Sequence, residues 1–556
     1  MRFSALFCLF SVCLFSGIAQ SATLPTAFDL RNIDGRSYIG PVRNQEQCGS
    51  CWSFGTLAAA ETTWNRTRGL YDDQTIDFSE AFLTWSLSPL YDGLHGCNGG
   101  NLELQQNTAL IEYGVPLESD FPYTMTDPGE DLHWDAPRYS FLDWYRIPPG
   151  DIETTRRVLY HIGAVTAGVL VENDFYDYTG GIYTNGTTAI TSKIPYHTAV
   201  NHLIALVGWN DDSGDGGLGY WILRNSWSDR WGLDGYMNIR YTTAGVTLHS
   251  SYMTLEPWDG ASIALENDDD LTATPWSAGG TLNAHGVDLW GGAASSVANR
   301  GAILAQAYSA DELATARGVY LWGGPEGAVS NAGTIVGLAG SENQQASAYA
   351  VCLQGGLVNN TGLLGAVAES YADQALAFGI WAANGGSAAE ITNSGEIIAL
   401  AHESAMNAAY GIWADSRSLI KVTNTGSIEA YADDYAIGVL LTGGPALLQN
   451  SGTIRGSYAS VYALQNTLMV LGTGSDLFGR VFLKGDEDTL VLTGNGIEDT
   501  AFYDVETLLM AGNDWSLSGD STFDTIEIAL GRLGMDGNLT GKTSILEDGF
   551  SAATVP

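Results

Sequence analysis

The chain has 556 residues, 45% apolar and 15% charged, so it can bury several cores and is not a disordered polymer. Its 23 Lys and Arg against 63 Asp and Glu give a formal net charge of −40, a field that repels polyanions and excludes phosphate-mediated nucleic-acid binding. The 68 glycines against 15 prolines suit a turn-rich β architecture and lack the triplet period of collagen. In chain order, residues 1–22 (MRFSALFCLFSVCLFSGIAQSA) place one Arg before a short apolar run and then small residues, the pattern of an export signal. No later stretch of about 20 apolar residues follows, so no integral membrane span is expected. Without the signal, Cys48, Cys51, Cys97 and Cys352 remain, in an oxidising compartment where disulfides persist.

Residues 44–54 read NQEQCGSCWSF, and beyond them Phe54, Leu57, Ala58, Glu61 and Trp64 recur at helical spacing. This predicts a helix with Cys51 in its first turn, where free amides and the helix dipole lower a thiol pKa. Further phrases follow: GCNGG at 96–100, FPYT at 121–124, VNHLIALVGW at 200–209 and YWILRNSWSDRWGLDGY at 220–236. Between the last two, Asp211, Ser213, Asp215 and Gly216 echo a calcium loop, but Ile222 stands where the closing Glu belongs. A plain acidic hairpin is the expectation, with no metal and no cofactor.

The composition changes after residue 257. Residues 258–280, including ENDDDLTATPWSAGG, read as a linker. Beyond residue 260 lie 9 basic and 33 acidic residues. Two phrases alternate there: GVDLW, GVYLW, AVCL, GIWA, GIWA and GVLL start at 286, 318, 350, 379, 411 and 438, and Asn-x-Gly phrases fall between them. A period near 30 residues marks a solenoid. Two short strand-like phrases per unit predict a right-handed parallel β-helix over 281–465 with terminal coils or a cap over 466–556, the Asn-x-Gly turns taking sharp left-handed corners. Alternation turns Val287, Val319, Val351, Ile380, Ile412 and Val439 inward. It turns Asp288, Tyr320, Cys352, Trp381, Trp413 and Leu440 outward, as a ladder that either binds a glycan or cell-surface ligand or merely covers the coil. Cys352 is expected unpaired there.

Residues 23–257 resemble the papain family (C1-type) of cysteine peptidases through CGSCW, GCNGG, the phrase around His202 and NSW, in the family's order. The resemblance implies an α+β, two-lobed domain acting on protein or peptide substrates. It implies Cys51 as nucleophile, His202 as the paired imidazole, Asn225 as its orienting amide and Gln45 as oxyanion donor. It further implies a Cys48–Cys97 disulfide, Gly99 and Gly100 as a backbone ledge for extended substrate, and Trp227 as a shield over the His–Asn contact. His95 and His197 take no role. Glu46 stands where the family usually has Gly. Leu203 stands where Ala or Gly is usual, which reshapes the pocket for the substrate's second residue. LPTAFDLR follows the signal directly, so no inhibitory prosegment is expected.

The repeats resemble passenger β-helices of Gram-negative autotransporters, but no run of membrane-barrel strands closes the sequence. Together these readings predict an endopeptidase with a β-helical stalk or targeting domain, secreted or at the cell surface or periplasm of a Gram-negative bacterium. The alternative is a surface adhesin or structural passenger with an inactive or peptide-binding peptidase-like domain.

Overall fold

A computed structural model describes residues 24–545 except 92, 101–104, 130–135, 185–199, 213, 215–217, 257–261, 274, 279–280, 291–293, 323, 325, 372, 384, 404–405 and 536–538. The export signal, His197 and most of the calcium-loop echo lie outside the described residues. Among the described residues no helix is long and apolar enough to cross a membrane.

The first half contains β1 (Ala27–Asp29), α1 (Cys51–Arg68), α2 (Gln105–Glu112), β2 (Asp143–Ile147), α3 (Ile152–His161), β3 (Val165–Val169), β4 (Ile182–Tyr183), β5 (His202–Asn210), β6 (Tyr220–Arg224), β7 (Tyr236–Arg240) and β8 (Ser250–Thr254). The sheet runs β2-β8-β3-β5-β6-β7-β4, with β1 added to β5. β5 is buried almost throughout, which is why it reads as a continuous apolar run. The expected two lobes are present. One core gathers Trp52, Leu57, Phe78 and Phe82 among the helices, and another lies under the sheet around Trp209 and Trp221. Helix α1 contributes to both cores and packs on β5 at Gly55. A Cβ there would lie 2.8 Å from the backbone of Leu203 and Ile204, so only glycine permits the approach.

From Ala264 onward the chain is a parallel β-solenoid. The aliphatic residues from Val287 to Val439 share one register and fill its interior, as their spacing predicts. Parallel stacking passes unbroken from Ala446–Asn450 to Thr467–Leu471 and Thr489–Leu492, so nothing in the sheet divides at 465/466. The later coils are shorter, with Thr489, Thr507 and Thr525 in register every 18 residues.

Three expectations need correction. The linker expected over 258–280 contains the first coil: Ala264–Asn267 pairs in parallel with Ser296–Asn299, and Asp270–Thr272 with Ala302–Leu304. Its charge run is the corner between those strands, where Asp268 pairs with Arg300 of the next coil. The Asn-x-Gly phrases are not left-handed corners either. None of the asparagines or of Gly301, Gly333, Gly362, Gly395, Gly426 and Gly452 has positive φ. Instead the amides of Asn267, Asn299, Asn331, Asn360, Asn393, Asn424 and Asn450 form a buried ladder, each donating to the next at 2.7–2.8 Å. Glycine follows because coils approach closely: a Cβ on Gly333 would sit 2.0 Å from the Gly301 carbonyl oxygen.

The third correction concerns the outward ladder. Its register is as aligned, with Asp288, Tyr320, Cys352, Trp381, Trp413 and Leu440 side by side. It is not a free surface, because the N-terminal half packs onto it and Tyr320, Cys352 and Trp381 are fully buried. Arg157 of α3 grips Asp288 with two hydrogen bonds of 2.9 and 2.6 Å. Asp151 pairs with Arg317 at 2.5 Å, and Thr154 shares a hydrogen bond with Tyr320. The indole of Trp322 donates to the Tyr252 hydroxyl at 3.0 Å, while Arg146 pairs with Asp415 and Arg417 with Asp143. His285 accepts from Arg317 and sits 3.0 Å from Asp288; burial and the two arginines outweigh Asp288 and hold its pKa down. Cys352 is a free thiol, as expected, but buried at this junction, where burial pushes its pKa up.

Candidate active site

Cys51 opens α1, with Ser50 at its N-cap, as the helical spacing predicts. His202 is the first residue of β5, and Asn225 follows the last residue of β6. The Gly55 contact between α1 and β5 therefore sets the thiol against the imidazole. The ring of His202 hydrogen-bonds through Nε2 to Asn225 Oδ1 at 2.8 Å, which leaves Nδ1 for the sulfur. Burial alone would push the Cys51 thiol up, but the facing His202 charge, its hydrogen bond and the amides of Leu203 and Trp52 bring it below the ordinary thiol value. Burial likewise opposes charge on His202, yet Cys51 and Asn225 raise its pKa. Opposite shifts on two facing groups favour a thiolate–imidazolium pair.

The Trp227 indole stacks on the His202 ring with centroids 4.9 Å apart. It is itself stacked on Tyr176 at 4.9 Å and flanked by Phe175 and Trp231, so the His–Asn contact lies under an aromatic roof. Gln45 is buried. Its Nε2 donates to the Cys48 carbonyl at 2.9 Å, and its Oε1 accepts from the Ser226 hydroxyl at 2.5 Å. Ser226 and the Cys48 carbonyl thus fix the orientation of the Gln45 amide. Sequence reading passed over Ser226 and over Gly55; the adjacency of Ser226 to Asn225 within NSW was the available signal.

Cys48 and Cys97 form a disulfide with Cα atoms 4.7 Å apart, and Gly49 N–H donates to the Cys97 carbonyl at 3.0 Å. The bridge ties the Gln45 loop to Gly99 and Gly100. Gly99 has φ of +104°, and the Gly100 Cα approaches the Trp52 ring so closely that a Cβ would lie 2.9 Å away. Leu203 is buried in the core with Trp52 and Leu57. His95 precedes the turn Gly96–Asn98, and its backbone N–H donates to the Gly99 carbonyl at 2.9 Å. The carboxylate of Asp211 accepts from Arg156 at 2.7 Å and Tyr241 at 2.6 Å, and the described residues contain no metal-binding cluster.

Behind the thiol, Glu61, Glu80 and Glu118 crowd near Asp77 with Arg43 and Arg224. Burial first, and neighbouring carboxylates second, push Glu61 and Glu118 up to about 7 and Glu80 well above its usual range.

A cysteine–imidazole–amide constellation bridging a helical and a sheet lobe is the apparatus of thiol-dependent hydrolases. Residues 24–254 match the family model described as papain family cysteine protease, and the chain belongs to that family. It is 32% identical over 233 residues to cysteine proteinase 1 of Entamoeba histolytica, covering 41% of this chain and 69% of that one. It is 28% identical to cathepsin J of Rattus norvegicus, over 42% of this chain and 66% of that one. Procathepsin L 3 of the Tenebrio molitor larval midgut is 26% identical over 43% of this chain and 72% of that chain, with a TM-score of 0.37. Across several matched relatives the chain spans 47% to 66% of their length.

Proposed function

We propose that this protein hydrolyses peptide bonds through Cys51. The Cys51 thiolate attacks the substrate carbonyl carbon. The oxygen that becomes negative takes hydrogen bonds from Gln45 Nε2 and the Cys51 amide. The His202 imidazolium passes its proton to the leaving amine as the C–N bond breaks, leaving a thioester. Imidazole then takes a proton from water, the hydroxide attacks the thioester, and carboxylate and thiol are released. Asn225 and Trp227 keep the ring oriented and dry, and Gly99–Gly100 offer backbone to an extended substrate. The observation carrying this reading is the 2.8 Å His202–Asn225 bond under Trp227, with the Cys51 and His202 pKa values shifted in opposite directions. A disulfide joining Cys48 and Cys97 supports export to an oxidising compartment. The solenoid serves as a rigid platform docked on the peptidase domain rather than a flexible stalk.

The test is hydrolysis of a peptide library by the full chain, with stoichiometric alkylation of one thiol. Cys51→Ala should lower kcat by about 10⁴-fold or more. A Cys51→Ala protein that still folds and keeps its rate would remove the proposal.

A further inference from the structure

The outward aromatic ladder is sealed by the peptidase domain over Tyr320 and Trp381, but at Trp413 and Leu440 it opens into a cavity of about 270 Å³. The cavity exists only because the two halves meet. Helix α2 and β2 supply one wall, and the strands Met406–Asp415, Tyr435–Thr442 and Thr453–Ala463 the other. It shares no lining residue with the thiol site, and exposed Glu112 stands at its edge.

Its chemistry is two-sided. The solenoid wall presents the rings of Tyr410, Trp413, Tyr458 and Tyr462. Around them stand hydroxyls and amides from Gln105, Thr108, Thr442 and Gln465. Trp413 donates to Thr442 at 3.1 Å and Trp144 to Thr108 at 3.1 Å, so an indole occupies one acceptor position of each hydroxyl. The two arginines are already paired, Arg146 with Asp415 and Arg417 with Asp143, while Glu112 at the edge accepts a hydrogen bond from the Tyr91 hydroxyl. An anion entering this space would lose its hydration without meeting an uncompensated positive charge, and would pass Glu112 at the edge. A purely apolar ligand would displace water from this polar rim without replacing its hydrogen bonds. What satisfies both walls is a neutral ring with C–H groups for the aromatic faces and hydroxyls for the rim, of a size just under the usual range of about 300–1,000 Å³ for small-molecule sites.

From this we infer that the junction cavity is a binding site for a neutral mono- or disaccharide. The test uses the full chain alkylated at Cys51, titrated with glucose, galactose, N-acetylglucosamine and maltose, and with glucuronate and hexanol as the charged and apolar counterparts. Binding is read from tryptophan fluorescence and from saturation transfer to the sugar ring protons. At least one neutral sugar should bind saturably and more tightly than glucuronate and hexanol. Tyr458→Ala, at a half-buried rim position, should weaken it about tenfold, the loss of a stacked ring. Gln465→Trp, which fills the cavity from its rim, should abolish it while leaving peptide hydrolysis by unalkylated enzyme unchanged. Saturable binding by none of the four sugars, tighter binding of glucuronate or hexanol, or wild-type affinity in both variants would overturn the assignment.

Discussion

The thiol site and the junction between the halves are both built from buried charge and aromatic rings, yet sequence carries them differently. At the thiol site, Gln45, Cys48 and Cys51 lie within seven positions of one another, as do Asn225, Ser226 and Trp227. Each group is placed by a turn or strand end beside its own motif. At the junction, Asp143, Arg146, Asp151 and Arg157 meet Asp288, Arg317, Asp415 and Arg417, partners more than 100 positions away. A local motif can announce chemistry, whereas a docked surface is specified only by two distant registers that fit.

The sharpest way to break the junction is to remove one member of its best-formed ion pair. Asp288 is bound by Arg157 at two atoms and by His285, and the Arg157 charge with the His285 hydrogen bond holds its carboxyl low against the upward pull of burial. Asp288→Ala leaves the Arg157 charge with Glu153 alone in a nearly dry space. Denaturant unfolding of the full chain should show a loss of about 3–5 kcal/mol. Alkylation of Cys51 under native conditions should remain stoichiometric, because the thiol site has its own supports. A loss below about 1 kcal/mol would mean that the halves are held by apolar packing alone.

The matching perturbation at the thiol site is Gln45→Ala. It removes a donor from the position where the oxyanion develops, so kcat should fall about 10²–10³-fold, with a loss of stability of about 1–3 kcal/mol from the stranded Ser226 hydroxyl and Cys48 carbonyl. Ser226→Ala, which only frees the Gln45 amide to rotate, should give a smaller fall in kcat and leave KM nearly constant. A Ser226→Ala effect as large as that of Gln45→Ala would assign Ser226 a more direct part.

This contrast also explains what could be read in advance. The solenoid and the inward aliphatic register were legible because each rests on short-range spacing or periodicity, and the two-lobed fold followed from the resemblance of several separated motifs to one family; those motifs named His202, Asn225, Gln45 and Trp227 but passed over Ser226 and Gly55. The cover over Tyr320, Cys352 and Trp381 was not, because an outward-pointing aromatic looks the same whether it meets solvent or another part of the chain. The first coil was hidden by its own corner, where Asp268, Asp269 and Asp270 imitate a linker. The asparagine ladder was mistaken for turn chemistry, because Asn-x-Gly suits either a left-handed corner or, as here, a buried amide beside a close backbone approach.

A difference between the halves should also appear in pH dependence. In the peptidase domain, burial holds Glu61 and Glu118 protonated up to about 7, and Glu80 further. Groups whose pKa is raised by folding stabilise fully below the ordinary carboxylate range, and that contribution is lost as pH rises through about 7. The Arg157–Asp288 and Arg157–Glu153 pairs have the opposite sign, since their carboxyls are depressed and their contribution is lost only in strong acid. Melting followed at the active-site aromatics should therefore be more stable near pH 5 than pH 8, by about 1–3 kcal/mol. Glu118→Gln should reduce the difference. Rising stability across that interval would show that these carboxylates are ionised in the fold.

The smallest effect lies at Glu46, beside the oxyanion loop, where the backbone has φ of +56°. An L residue with a Cβ resists that conformation by about 1–2 kcal/mol, while glycine adopts it freely. Glu46 N–H donates to the Asn44 side chain at 3.1 Å, a bond that does not depend on the residue at 46 and that holds the loop in place. Replacement by glycine relieves the strain but returns freedom to the unfolded chain, worth about 0.5–1 kcal/mol in the other direction. The net for Glu46→Gly should be a gain of about 0.5–1 kcal/mol in unfolding free energy. It also removes an exposed carboxylate from the neighbourhood of a developing anion, so kcat should rise modestly at low salt and less as salt screens the charge. Destabilisation by Glu46→Gly would show that the glutamate side chain makes a stabilising contact worth more than the strain it imposes.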